Sequence, residues 1–392
     1  MTRPAANLLV GAVTIAIVLG ALELLSWPAL ALLARDTRFD FTPLADRLAE
    51  QSRKLEEILA GKDRFLGLDA ELGWVYPPEH SSDLYSTNSR GLRGTREYAR
   101  QPATGVLRVA AFGGAFVFAS EVRDEEAWSF QAERMEPRVE LLNYGVGGYG
   151  TDQALLLYRR RGQELAPQVV VLGFPEVDLP RNVNRYRRFL DSRDLPLFKP
   201  RFELDPHGEL RVIPNPFSGE PGSRRVLADP RLALEAAVGD ELFEPLVWRN
   251  PLYDRSSLVR LASTLASRAW HSRLRADRFY RGGEMSRDSQ AFAVLVAIVR
   301  AFAREVENVG DTFVFMIFAF RDEDIWGSAR RSYAPLVEAL PGITILDLAD
   351  ALRADPELTP ATLRAPGGHY SPAANRATGR ALLELLRTRG LL

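Results

Sequence analysis

The stretch VELLNYGVGGYGTDQALLLYRR, residues 139–160, decides how the fold is read. It begins as a short, mostly apolar run ending near Gly145, turns through a cluster of glycines and continues into a helix-forming segment. A strand with so little polar alternation suits a parallel sheet covered on both faces. Working outward, runs of the same kind recur at LRVAAFG (107–113), QVVVLGF (168–174), DTFVFMIFAF (311–320) and ITILDLA (343–349). Helical stretches lie between and after them, near 124–136, 151–165, 289–309, 328–339 and 372–389. Strand alternating with helix predicts an α/β domain with a doubly wound parallel sheet.

The core is therefore expected over 105–180 and 286–392, with a large insertion, 181–285, between the third and fourth strands. Within the insertion, FKPRFELDPHGELRVIPNP predicts a hairpin turning at Asp205-Pro206-His207-Gly208. Residues 41–104 precede the core. They open with the helix LADRLAEQSRKLEEILAGK, started by Thr42-Pro43 and stopped by Gly61, which reads as a stalk. An irregular lead-in follows, with Trp74 and Tyr76 as its anchors on the main domain.

Residues 1–40 carry a different signal. From Leu8 to Ala34 only Thr14, Glu23 and Ser26 interrupt an apolar run that exceeds the ~20 residues needed to cross a bilayer. A cleaved signal peptide and a buried core helix are the alternatives, but the run is longer than a signal-peptide core. An uncleaved transmembrane helix over residues 8–27 is expected, with Trp27 near the far headgroups and Glu23 about one turn inside them. Long domains after a first span translocate largely regardless of flanking charge. The soluble domain is thus expected outside the cytoplasm, in a bacterial periplasm or at a cell surface.

Composition removes other classes. The 392 residues include 50 basic and 51 acidic side chains, a net charge of −1, which gives no general attraction to nucleic acid. The absence of cysteine excludes disulfides, a thiolate nucleophile and cysteine-ligated metals. His80, His207, His271 and His369 are scattered and contain no helical metal-binding pair, so neither a metal nor a cofactor is expected.

Ligands of doubly wound sheets sit at the carboxyl ends of the strands. Those ends are Gly113-Gly114-Ala115-Phe116, Asn143 through Gly148, Gly173 through Asp178, and Gly367-Gly368-His369-Tyr370-Ser371-Pro372 before the last helix. Their order and spacing resemble the SGNH (GDSL) hydrolase family of esterases, lipases and carbohydrate O-acyl esterases. The likeness covers roughly 105–180 and 286–392, and GWVYPP, STNSRGLRG and RNVNRYRRF extend it toward membrane-anchored or secreted relatives. The resemblance implies a flavodoxin-like fold and a serine nucleophile preceded by aspartate after the first strand. It further implies a histidine base with an aspartate three residues before it, and an oxyanion hole from the serine amide, a glycine amide and an asparagine side chain.

This chain departs from that pattern. Ala115 stands at the nucleophile position, Gly114 at the preceding aspartate, Asp178 (or Val177, one residue earlier) at the asparagine, and Pro366 at the acid. Gly148 and His369 alone match the glycine donor and the base. Alanine cannot attack, a loss on the order of 10⁶ in turnover. An anion at 178 would repel the developing oxyanion, and with Pro366 at the acid position His369 has no acid partner and no fixed tautomer. A lone serine replacement would explain Ala115 but not the other three departures.

Taken with the anchor, the departures imply a protein without esterase activity that holds an acylated or glycan ligand, or an envelope partner protein, in the strand-end crevice, with Gly147, Arg181 and Arg185 among the contacts. An ester or O-acyl hydrolase with an unorthodox site is the alternative: His369, alone or with Asp178, would activate water, or Ser120 would attack. A structural scaffold with a filled pocket is the second alternative. Plainer roles stand beside these: Gly147 and Gly148 as a tight turn, His369 as a surface residue before the last helix, Asp178 paired with Arg181, and Arg181, Arg185, Arg187 and Arg188 as a solvated face.

Overall fold

The computed structural model describes residues 3–36, 39–62, 66–191, 194–237, 239–274 and 278–392. Five strands, β1 (Leu107–Phe112), β2 (Val139–Asn143), β3 (Val169–Pro175), β4 (Thr312–Phe318) and β5 (Ile345–Asp347), form one sheet in the order β5-β4-β3-β1-β2. Every pairing in it is parallel. This is the flavodoxin order 2-1-3-4-5, the architecture expected from the sequence. Val109 to Phe112 and Val169 to Leu172 are wholly buried, which accounts for the missing alternation: helices cover both faces.

Among the helices are α1 (Arg3–Leu33), α2 (Leu44–Leu59), α3 (Trp128–Met135), α4 (Thr151–Arg161), α5 (Ser257–Leu274), α6 (Gln290–Glu307) and α7 (Pro372–Thr388), with others between them. α3 packs with α7 and α4 packs with α6, giving the two helical layers. Between sheet and α4/α6 layer, Phe112 lies flat on Tyr144 at 4.6 Å and meets Tyr158 edge-on at 5.6 Å, while Phe302 of α6 closes the cluster.

Three local readings change. The strand expected over 343–349 is only Ile345–Asp347, because the Asp347 carboxylate accepts the Ala349 amide at 3.0 Å and starts a helix, Leu348–Ala354. The helix expected over 328–339 is confined to Ala334–Glu338. The supposed stalk, α2, is docked rather than free. Its face of Arg47, Gln51, Leu55 and Ile58 is buried, and Gln51 accepts the Tyr186 hydroxyl at 2.5 Å and donates to the Pro230 carbonyl at 3.3 Å. The spacing of that face is evident in sequence, but its partners lie more than a hundred residues away. The hairpin forms as expected, Arg201–Leu204 against Leu210–Ile213, with Asp205 Oδ1 accepting the amides of His207 and Glu209.

Candidate functional site

After β1 the chain passes Gly113-Gly114 into a single helical turn, Ala115–Phe118. A side chain at 114 has no room: its Cβ would lie 2.9 Å from the Tyr149 carbonyl and 3.4 Å from Arg181 Nη1. Glycine at this position therefore belongs to the packing of two strand-end loops. Beyond the turn, Ala119 adopts a left-handed conformation (φ 63°) and the chain doubles back. Arg93, buried, holds this bend. Its Nη1 donates to the carbonyls of Phe118 and Ala119 at 2.5 and 2.6 Å, its Nη2 to that of Val122 at 2.7 Å, and its Nε pairs with Asp124 at 3.1 Å.

The bend carries Glu121 to His369. The Glu121 carboxylate is hydrogen-bonded to His369 Nδ1, and it also accepts the Gly367 amide at 2.7 Å. The histidine loop is itself fixed. The Ala365 amide donates to the His369 carbonyl at 2.8 Å, and the Tyr370 hydroxyl to the Ala319 carbonyl at 2.7 Å. Asn375 donates to the Tyr370 carbonyl at 3.0 Å and accepts the Trp128 amide at 3.2 Å, while Ser371 caps α7 with Pro372 in its first turn.

The expectation that His369 lacks an orienting acid is therefore overturned. Pro366 is exposed, and the carboxylate arrives instead from the loop after Ala115, 248 positions away in sequence. A carboxylate on Nδ1 fixes the tautomer so that Nε2 is the basic nitrogen. The postulated Asp178–His369 pair is not formed. Asp178, buried, pairs with Arg181 at 2.7 Å; burial pushes its carboxyl up, against the pull of Arg181, Arg187 and His369.

The glycine turn after β2 is locked by the two lead-in aromatics. The Gly147 carbonyl accepts Trp74 Nε1 at 2.9 Å, its amide donates to the Tyr76 hydroxyl at 3.1 Å, and the Tyr149 hydroxyl donates to the Trp74 carbonyl at 2.5 Å. Gly147 thus has both backbone groups engaged within the protein, and the ligand contact expected of it is not available without displacing Tyr76. Gly148 is left-handed (φ +81°), with Trp74 3.3 Å from where a Cβ would stand, so it fills the role of a tight-turn glycine.

The arginine cluster is not a solvated face. Arg181 bonds Asp178 and the Tyr149 carbonyl, and Arg185 reaches the Pro214 carbonyl of the insertion. Arg187 is buried and paired with Asp194 at 2.5 Å, and its Nε lies 3.8 Å from the Cβ position of Gly148. Among the described residues its Nε and Nη1 have no hydrogen-bond partner. Next to it Lys199 pairs with Asp152, both fully buried. Ser120 donates to the Ala115 carbonyl at 3.4 Å, and among the described residues it makes no hydrogen bond to His369.

One carboxyl that the sequence did not single out ties β3 to β4: Glu176 accepts the Phe320 amide at 2.8 and 2.9 Å and the Arg321 amide at 2.8 Å. Burial pushes it up to about 7 despite those amides. At the surface, Ala115, Gly147, Gly148, Val177, Glu121 and His369 are all partly exposed, so solvent reaches the strand ends, and the Phe116 ring packs 5.0 Å from the imidazole.

Topology and strand ends together define a flavodoxin-like α/β domain whose partly exposed strand-end loops carry a histidine–glutamate pair and, after the first strand, an alanine. No family model and no curated protein matches the chain. Among solved structures it is similar to a lipolytic protein of the G-D-S-L family from Desulfitobacterium hafniense DCB-2, with 11% identity, a TM-score of 0.32, and 71% of this chain and 99% of that one covered. A member of the lipolytic protein G-D-S-L family from Veillonella parvula DSM 2008 aligns with 11% identity and a TM-score of 0.36, over 72% and 99% of the two chains. Likenesses this distant add nothing to the topology read from the sheet itself.

Proposed function

We propose that this domain holds an acylated or glycan ligand, or a partner protein, at its strand-end crevice without forming an acyl-enzyme, and that α1 anchors it in a membrane with the body outside the cytoplasm. One observation carries the reading: the His369–Glu121 pair is complete while position 115 offers only a methyl group. An imidazole held in this way accepts a hydrogen bond from a ligand hydroxyl at Nε2, which positions the ligand with no bond made or broken. The same pair also favours a second reading, in which His369 takes the proton of a water that attacks an acyl group directly.

Hydrolysis of p-nitrophenyl acetate by the full chain, by His369→Ala and by Glu121→Gln separates the two. Equal background rates support the binding reading. A rate that both substitutions abolish would replace it with direct general-base hydrolysis. Protease treatment of spheroplasts tests the anchor, and a soluble form beginning near residue 30 would mean that the segment is a cleaved signal.

A further inference from the structure

The Asn7–Leu33 part of α1 is long and apolar enough to cross a bilayer, but its last third is not bare. Glu23, Ser26, Leu30 and Leu33 are turned toward α5. The Glu23 carboxylate accepts the Ser256 hydroxyl at 2.6 Å, the Ser257 amide at 2.5 Å, the Ser257 hydroxyl at 2.7 Å and the Leu258 amide at 3.2 Å. Ser26 and Ser257 are hydrogen-bonded through their hydroxyls. Glu23 thus serves as the N-terminal cap of α5 from a different helix. Farther along, Arg268 lies 5.5 Å over the ring of Phe39, so α5 runs beside the anchor from Glu23 toward the chain that follows it.

The outer face of α5 is the unexplained part. Ala262, Leu265, Ala266, Ala269 and Trp270 are exposed, Leu265 by 37% and Trp270 by 63%. On the adjoining α1, Leu24, Leu25, Trp27 and Leu32 are exposed as well. No Asp or Glu occurs from Arg255 to Leu274, where Arg255, Arg260, Arg268 and Arg273 all fall. An apolar stripe flanked by arginines, free of acids and ending in tryptophan, has the composition of a helix that beds into a headgroup layer.

We propose that α5 is a second membrane element: its apolar stripe lies in the lipid interface beside the anchor, on the side of the folded body, and its arginines meet anionic phosphates. A second copy is the poorer occupant, because a self-facing contact would bring the same arginines together with no acid between them. The proposal rests on the anchor reading of α1.

The chain contains no cysteine, so single nitroxide labels can be placed cleanly in the full-length protein reconstituted in phosphatidylcholine–phosphatidylglycerol vesicles. Labels at Leu265→Cys and Ala269→Cys report on α5, one at Leu19→Cys on the span, and one at Val309→Cys on exposed soluble surface. Relaxation by oxygen is expected to exceed relaxation by a water-soluble nickel chelate at 19, 265 and 269, with the reverse at 309. Adding Arg268→Glu and Arg273→Glu should lower the oxygen-to-nickel ratio at 269 severalfold. Nickel-dominated relaxation at 265 and 269, with 19 still in lipid, would overturn the proposal and leave the anchor standing. Exclusion of both reagents at 265 with spin–spin broadening would assign the face to a second copy instead. Water access at 19 would overturn the anchor and the proposal together.

Discussion

Substituting Ala115→Ser alone should create a reactive serine, and the size of the gain follows from the geometry of the site. Loss of a nucleophile of this kind costs on the order of 10⁶ in turnover. A histidine without its orienting acid would forfeit roughly 10⁴ more, but Glu121 supplies that acid, so this penalty does not apply. The missing asparagine donor remains missing and takes away about 10² to 10³. The difference leaves a gain of about 10³ to 10⁴ over the parent chain. The assay is the rate of labelling by a fluorophosphonate probe, with the modified residue located by mass spectrometry. Adding Glu121→Gln or His369→Ala should return the rate to background. Pro366→Asp should add nothing, because the carboxylate's place on Nδ1 is taken, and Gly114→Asp should lower the folded yield because its Cβ meets the Tyr149 carbonyl at 2.9 Å. If Ala115→Ser folds with unchanged thermal stability yet labels no faster than the parent, or labels equally well with Glu121→Gln, then the His369–Glu121 pair does not act as the base assembly.

Three further outcomes test the supporting structure. Arg93→Ala removes the donors to the Phe118, Ala119 and Val122 carbonyls, of which Ala119 keeps the Val122 amide at 3.4 Å, and unpairs Asp124, so urea denaturation should show a loss of about 3 kcal/mol, and a loss well under ~1 kcal/mol would show that the bend carrying Glu121 stands without it. Asp152→Ala should cost about 3–5 kcal/mol by stranding buried Lys199, whereas Asp152→Leu with Lys199→Met should stay near the parent; equal loss in both would argue against a stranded charge. Glu176 titrates near 7 when folded and near 4.5 when unfolded, so the folded state holds its proton more tightly. Its contribution is complete below about pH 4.5 and is lost as pH rises toward 7, by about 3 kcal/mol in all. Glu176→Gln should flatten that segment of the curve of melting temperature against pH, and an unchanged slope would refute the assignment.

Local patterns fixed the parts of this protein that depend on near neighbours along the chain. The five strands, the long helices α4, α6 and α7, the Asp205 hairpin and the apolar run of α1 were all legible, because periodicity, capping residues and turn chemistry act over a few positions. Boundaries went astray where a single polar side chain outweighed the pattern, as Asp347 did by ending β5 and starting the next helix. The loops carrying Ala115, Gly148 and Asp178 were legible from the strands before them, whereas the roles expected of these positions and of His369 came from the family resemblance.

What occupies the space around those positions was decided only by tertiary structure. Glu121 sits in an irregular bend with no periodic signal, and it reaches His369 only because Arg93 gathers the carbonyls of that bend and Asn375 ties the histidine loop to α3. In the same way, a face of α2 that reads as the side of a stalk becomes a buried contact, and a carboxylate in an apolar segment becomes the cap of a helix more than two hundred residues later. In each case the free energy comes from satisfying a polar group away from water, and the partner that does so is chosen by proximity in space, on which spacing along the chain places no constraint.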